Sequence, residues 1–273
     1  MDSKERKIKC VVWDLDNTIW DGILLENEDV KLKKRVVDII KELDARGILN
    51  SIASKNDFET AMEKIKFFGI DEYFLYPQIS WNEKSESVKT IAELLNIGID
   101  TFAFVDDQQY ELEEVRFSCP EVLCLSADQV DKLLDMQEFH PRFITEDSRH
   151  RRKMYQSDIK RKKIEEKHDG PKEEFLASLN MVCTIREAEV EDLRRAEELT
   201  VRTHQLNTTG YTYSYEELKE LMDSPDYKLY VCSLDDKLGT YGNIGIALVK
   251  CEDNIWIIKL LRSEERRVGK ECR

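Results

Sequence analysis

The sequence predicts an α/β protein, a Rossmann-like parallel sheet followed by a smaller α+β unit. Three observations carry this prediction. From Lys7 to about Cys124, short apolar runs alternate with stretches of helical periodicity, as in a parallel sheet with helices on both faces. Polar residues gather where those runs end, and the C-terminal edge of such a sheet is where ligands bind. From Glu173 to Leu261 the order changes, and two helices lead into a series of strands.

Taken in order, Ile8, Cys10, Val11, Val12 and Trp13 make a short buried strand, β-branched and aromatic with little alternation. "ILLENEDVKL" is short and extended, a small hairpin or flap. "KKRVVDIIKELDARG" places Val36, Ile39, Ile40 and Leu43 at helical spacing, with Gly47 as its stop. "ILNSIAS" is a second strand, and a helix follows over "NDFETAMEKIKFFG", opened by Asn56 or Asp57 and closed by Gly69. "DEYFLYPQIS" reads as a further strand, "EKSESVKTIAELLNIG" as a helix, "TFAFV" as a strand ending at Asp106–Asp107, "QQYELEEVRFSC" as a helix and "VLCL" as a last strand. From Asp131 to about Lys172 the chain is dense in charge, which predicts a solvated helix linking two units. A basic nucleic-acid patch is the weaker reading, because Glu and Asp interrupt it. Beyond lie helices "VEDLRRAEELTVRTH" and "SYEELKELM", then strands "YKLYVCSL", "GNIGIALVKCE" and "NIWIIKLL".

Composition narrows the function. The 273 residues carry 42 Lys+Arg against 56 Asp+Glu, a net charge of −14, which argues against binding a phosphate backbone over a broad surface. No apolar run approaches membrane-spanning length and "MDSKERK" lacks a signal-peptide core, so neither membrane nor nucleic acid is an expected partner. The 7 cysteines form no C-x-x-C pair, and reduced thiols in a cytoplasmic protein are the expectation. His140, His150, His168 and His204 make no metal spacing.

The chemistry lies in "VVWDLDNTIW". A buried carboxylate needs a partner, and Asp14 and Asp16 stand two positions apart at a strand end. Either one caps a helix and the other is solvated, or both face a cation. Ser54 ends the second strand, Lys84 opens a helix, and Asp106 and Asp107 end "TFAFV". Each alone has an ordinary reading as a cap or surface charge. Together they converge on one sheet edge and fit phosphoryl transfer through an aspartyl phosphate. In that scheme Asp14 is nucleophile and metal ligand, and Asp106 and the Asp16 carbonyl complete the protein ligands of a Mg²⁺ ion. The Asp16 side chain serves as general acid and base. Ser54 and Lys84 hold the phosphoryl oxygens, and Asp107 orients Lys84 or a metal-bound water. A phospho-receiver domain uses similar residues, but there the acid pair comes first, the phosphorylated Asp next and the Lys last.

"VVWDLDNTIW", "SIASKN", Lys84 in "WNEKSESV" and "FAFVDDQQYE" resemble, in order, the four motifs of the haloacid dehalogenase (HAD) superfamily, and most closely its HAD-IIIC, FkbH-like members. "RTHQLNTTGYTYSYEELKELM" and "SLDDKLGTYGNIGIALV" resemble the GNAT-like domain that those proteins carry behind the HAD domain. The resemblance implies a HAD hydrolase domain with a minimal cap over 1–140, a charged helical linker over 141–172 and a GNAT-like domain over 173–261. It further implies a Mg²⁺-dependent phosphatase or glyceryltransferase of polyketide-type biosynthesis, which loads a phosphoglyceryl group onto an acyl carrier protein and removes its phosphate. The tail "RSEERRVGKECR" (262–273) departs from the pattern: it is nearly all charged, has no apolar face to complete the fold, and predicts an incomplete second domain without acyl-CoA binding. Arg202, His204, Gln205 and Asn207 are candidates to line an acyl or carrier site, though exposed helix-end polar residues are the simpler reading. The rival functions are a free-standing small-molecule phosphatase and a non-catalytic carrier-docking scaffold, and the intact D-x-D counts against the scaffold.

Overall fold

Four consecutive buried residues, Cys10–Trp13, form β1 at the centre of a parallel sheet, and a strand covered on both faces has no reason to alternate. The computed structural model describes residues 6–27, 29–202 and 212–263. The chain divides into two units, Met1–Arg152 and Lys153–Arg273.

In the first unit β1 is followed by a two-stranded ribbon of β2 (Trp20–Asp21) and β3 (Lys31–Leu32), the hairpin read from the sequence. Helix α1 (Lys34–Ala45) buries Val36, Val37, Ile39, Ile40 and Leu43. It stops at Gly47, whose φ of +76° suits glycine, and a Cβ there would stand 2.7 Å from Ser148, so a second constraint holds the same position. Then come β4 (Leu49–Ser54), α2 (Phe58–Phe67), β5 (Gln78–Ile79), α3 (Lys84–Leu95), β6 (Phe102–Asp106), α4 (Gln109–Ser118) and β7 (Leu123–Ser126). Asp57, not Asn56, caps α2, accepting from the Thr60 amide at 2.9 Å. Helix α3 ends on Asn96 at φ 51°.

The strands pair in parallel in the order β5-β4-β1-β6-β7, with apolar side chains from both faces in one core. β5 is shorter than "DEYFLYPQIS" suggested: Asp71–Tyr73 forms a 3₁₀ turn, Phe74 makes an isolated bridge to Asn50, and the strand itself is Gln78–Ile79. Pro77, which has no N–H to give the ladder, directly precedes them. The short helix α5 (Glu146–Arg149) is capped by Thr145.

The charge-dense segment forms α6 (Arg151–Glu165), but it is not wholly solvated as expected. Within the second unit Arg161 is buried: its guanidinium donates to Asp236 Oδ2 at 2.5 Å and Oδ1 at 3.0 Å, pairs with Asp158, and lies 3.8 Å from the Tyr241 ring centroid. A planar fork with a carboxylate across from it can be buried where a lysine would stay in water. Helix α7 (Lys172–Ser178) and strand β8 (Val182–Glu187) follow, neither read from the sequence. Helix α8 (Leu193–Arg202), α9 (Tyr215–Asp223), β9 (Tyr227–Asp236), β10 (Gly239–Glu252) and β11 (Ile255–Ser263) complete the unit. Its antiparallel sheet runs β11-β10-β9-β8, over a core that includes Leu193, Leu199, Leu218, Leu229 and Ile246. His204, Gln205 and Asn207, and the tail from 264, lie outside the described residues, as does the side chain of Arg202. Among the described residues no helix is long and apolar enough to cross a membrane.

Candidate active site

Strands β4 and β5 lie on one side of β1, and β6 and β7 on the other, so the connections diverge between β1 and β6. Such a switch point leaves a crevice beyond the strand ends. Trp13 sits opposite Val105, and the Asp14 amide donates to the Val105 carbonyl at 2.9 Å. Asp14 and Asp106 therefore emerge side by side, both buried.

Lys84, the first residue of α3 and only 3% exposed, bridges them: its ammonium donates to Asp14 Oδ1 at 2.6 Å and to Asp106 Oδ2 at 2.5 Å. Burial alone would lower the Lys84 pKa, but the two carboxylates outweigh it and hold it above its ordinary value. Burial pushes Asp14 up to about 6, with Lys84 opposing and Asp106 adding to the rise. Asp106 is raised as well, by burial against the pull of Lys84 and of the Gln108 amide, which donates to its Oδ1 at 2.8 Å. Asp107 is raised by burial and by the Asp14 charge.

The Ser54 hydroxyl, at the end of β4, is buried beside Asp14 and favours its ionised form against the effect of burial. Asp16 lies on the turn after β1, where Asn17 adopts φ 50° and the Thr18 and Ile19 amides return to the Leu15 carbonyl. Asp16 Oδ1 accepts from the Trp20 indole at 2.8 Å and the Leu24 amide at 3.1 Å, and Oδ2 accepts from the Asn56 side chain at 3.0 Å.

The structure thus gathers Asp14, Asp106, Lys84 and Ser54 directly, with Asp107 beside them, and holds Asp16 through neighbours that sequence reasoning passed over. Asn56 was read only as a helix cap, and Trp20 not at all. A buried Asn two residues beyond a strand-end Ser, next to a better capping Asp, was the available signal. Lys55 and Glu111 form another unforeseen pair at 2.6 Å, tying the connection after β4 to α4.

Asp14, Asp106 and Asp107 each offer a carboxylate oxygen, all within 4.8 Å of one another. Three carboxylates against one ammonium leave an excess of negative charge with little water to screen it, and an all-oxygen set suits a hard divalent cation. Burial keeps the Asp14 and Asp106 carboxyls raised although Lys84 is in contact with both.

No family model matches the chain, and no curated protein matches it. Among solved structures it is similar to the N-terminal part of a Bacteroides fragilis protein containing a phosphatase domain complexed with Mg: 30% identity, 48% of this chain, 39% of that one, TM-score 0.40. The chain thus spans well under half of that relative. It is similar also to a putative phosphatase from Clostridium difficile (17% identity, 47% of this chain and 99% of that one, TM-score 0.38). A third is the 3-deoxy-D-manno-octulosonate 8-phosphate phosphatase of Moraxella catarrhalis, with magnesium, phosphate and KDO (20% identity, 40% and 63%, TM-score 0.33).

Proposed function

We propose that the chain is a Mg²⁺-dependent phosphatase of the HAD type, working through an aspartyl phosphate on Asp14. The observation that carries this reading is the buried Asp14–Lys84–Asp106 bridge at 2.6 and 2.5 Å, set at the sheet's switch point with Asp107 beside it. Asp14, Asp106 and the Asp16 carbonyl are the residues to hold Mg²⁺, which when bound offsets the charge between an anionic nucleophile and an anionic ester. An Asp14 oxygen attacks phosphorus, and the ester P–O bond breaks as the Asp16 carboxyl gives its proton to the leaving oxygen. Water then attacks the phosphorus, its proton passing to Asp16, and phosphate leaves Asp14. Lys84 and Ser54 hold phosphoryl oxygens throughout.

The finer reading follows the motif resemblance: an FkbH-like enzyme of the cytoplasm, with a HAD domain over 1–140 and a partial GNAT-like domain over 173–261. Its substrate is a phosphoglyceryl group presented on an acyl carrier protein. Only a small β2–β3 ribbon lies between Asp16 and α1, too little to seal a small ester from water, and a carrier body supplies the missing cover. Mass spectrometry of candidate carriers incubated with the protein, Mg²⁺ and a phosphoglycerate donor tests this, with a glyceryl adduct expected. Equal kcat/KM for matched free and carrier-bound phosphates would instead favour a free-standing phosphatase.

A further inference from the structure

We propose, on the aspartyl-phosphate reading above, that Asn56 and Trp20 are positioning residues that select which oxygen of Asp16 handles the transferred proton. Asn56 is 1% exposed, and Asp57 has already taken the capping role beside it. Its Nδ2 donates both to Asp16 Oδ2 at 3.0 Å and to Ser54 Oγ at 3.3 Å. Because Oδ2 accepts from this amide, the NH₂ faces Asp16. Its Oδ1 is thereby left buried without a partner. That arrangement is unfavourable for the amide by itself, and the carboxylate is what imposes it.

The other side of Asp16 is closed by the ribbon. The Trp20 indole and the Leu24 amide both donate to Oδ1 and occupy its acceptor positions. Among the described residues Oδ2 receives one hydrogen, from Asn56, and keeps one position free. The transferable proton therefore belongs to Oδ2. In the first half-reaction it moves to the ester oxygen as the P–O bond breaks, leaving Asp16 ionised; in the second the attacking water returns a proton to the same oxygen. Because the Asn56 amide also holds the Ser54 hydroxyl, one side chain aligns the proton donor with the phosphoryl site.

Leaving-group dependence separates this role from a merely structural one. n-Propyl phosphate needs its leaving oxygen protonated, whereas p-nitrophenolate leaves without a proton. With Mg²⁺ present, Asn56→Ala should lower kcat/KM for n-propyl phosphate about 100-fold and for p-nitrophenyl phosphate about fivefold or less, since general acid catalysis contributes roughly 10²–10⁴-fold. Trp20→Phe removes a donor from a different element and should show the same selectivity, which keeps the test decisive if Asn56→Ala does not fold. Equal losses on the two esters, or no loss, in the variant that folds would overturn the proposal while leaving the phosphatase reading intact. If the wild-type protein turned over neither these esters nor a carrier-bound phosphate, the phosphatase reading would fall, and this proposal with it.

Discussion

The two sheets of this chain put buried charge to different uses. In the parallel sheet every residue of β1, β4 and β6 is buried, and the charged groups stand at or just past strand ends. In the antiparallel sheet β8 exposes all six of its residues, and two carboxylates of the unit, Asp192 and Asp236, are matched by arginines. Arg186 grips Asp192 at 2.6 and 2.9 Å, and Arg161 grips Asp236. Burial would raise both Asp192 and Asp236, yet the arginines, together with backbone amides and the Asn243 and Tyr241 side chains, outweigh it and hold both below the ordinary carboxylate range. At Asp14 and Asp106 burial wins although an ammonium touches both. The direction of the shift therefore separates a brace, whose carboxylates are held down by their donors, from a pair in which burial prevails.

The largest effect expected of that difference is on turnover. Asp14→Asn should lower kcat by at least about 10⁴-fold, because an amide does not attack phosphorus. Unchanged circular dichroism alongside would show that the fold is kept; full phosphatase activity would remove the covalent mechanism. In the other sheet the corresponding change acts on stability. Arg161→Met leaves the buried Asp236 side chain without its cation, held only by Tyr241 and the Leu238 and Gly239 amides, and should cost about 3 kcal/mol, read as lost amide protection in β9 and β10. If protection there were unchanged, the arginine would not be a brace.

Asp106→Asn should weaken Mg²⁺ binding by at least about tenfold, since even groups that merely orient a ligand are worth that much. Isothermal titration of the two proteins checks it, and equal affinities would clear Asp106 of a ligand role. The smallest effect is a divergence with pH in the metal-free protein. Folded Asp14 holds its proton more tightly than the unfolded chain does, so the stability it contributes is full below 3.8 and lost as pH rises through about 6. Asp192 and Asp236 run the other way: their contribution is present above 3.8 and is lost as pH falls through their lowered folded values. Protection factors, corrected for intrinsic exchange, should fall with rising pH in β1 and fall with falling pH in β9. Parallel trends in the two would contradict the distinction.

Much of the first unit was legible because its strands are short and mostly apolar and most of its left-handed backbone positions carry glycine or asparagine, Tyr76 being an exception. The site's members were legible for the same reason: in a parallel sheet, being last in a strand fixes a residue's place on the ligand edge. What sequence could not supply was pairing at a distance. Asn56 and Asp16 are forty positions apart and meet only because β4 lies against β1. β8 went unread because all its residues are exposed, so no buried face gives it a period to detect. Arg161 hid in a charge run because its partner Asp236 lies far along the chain, on another element.

The placement of the indoles has an optical consequence. Of the four tryptophans, Trp13 is buried with its N–H on Asn50 at 2.9 Å, and Trp20 is buried with its N–H on Asp16. Trp81 and Trp256 are 67% and 62% exposed. Iodide collisions should extinguish the emission of the latter two and spare the former. The fluorescence that survives quencher then comes from residues on either side of the Asp14–Asp16 turn. A cation or phosphate analogue arriving there would shift that residual light without any introduced label.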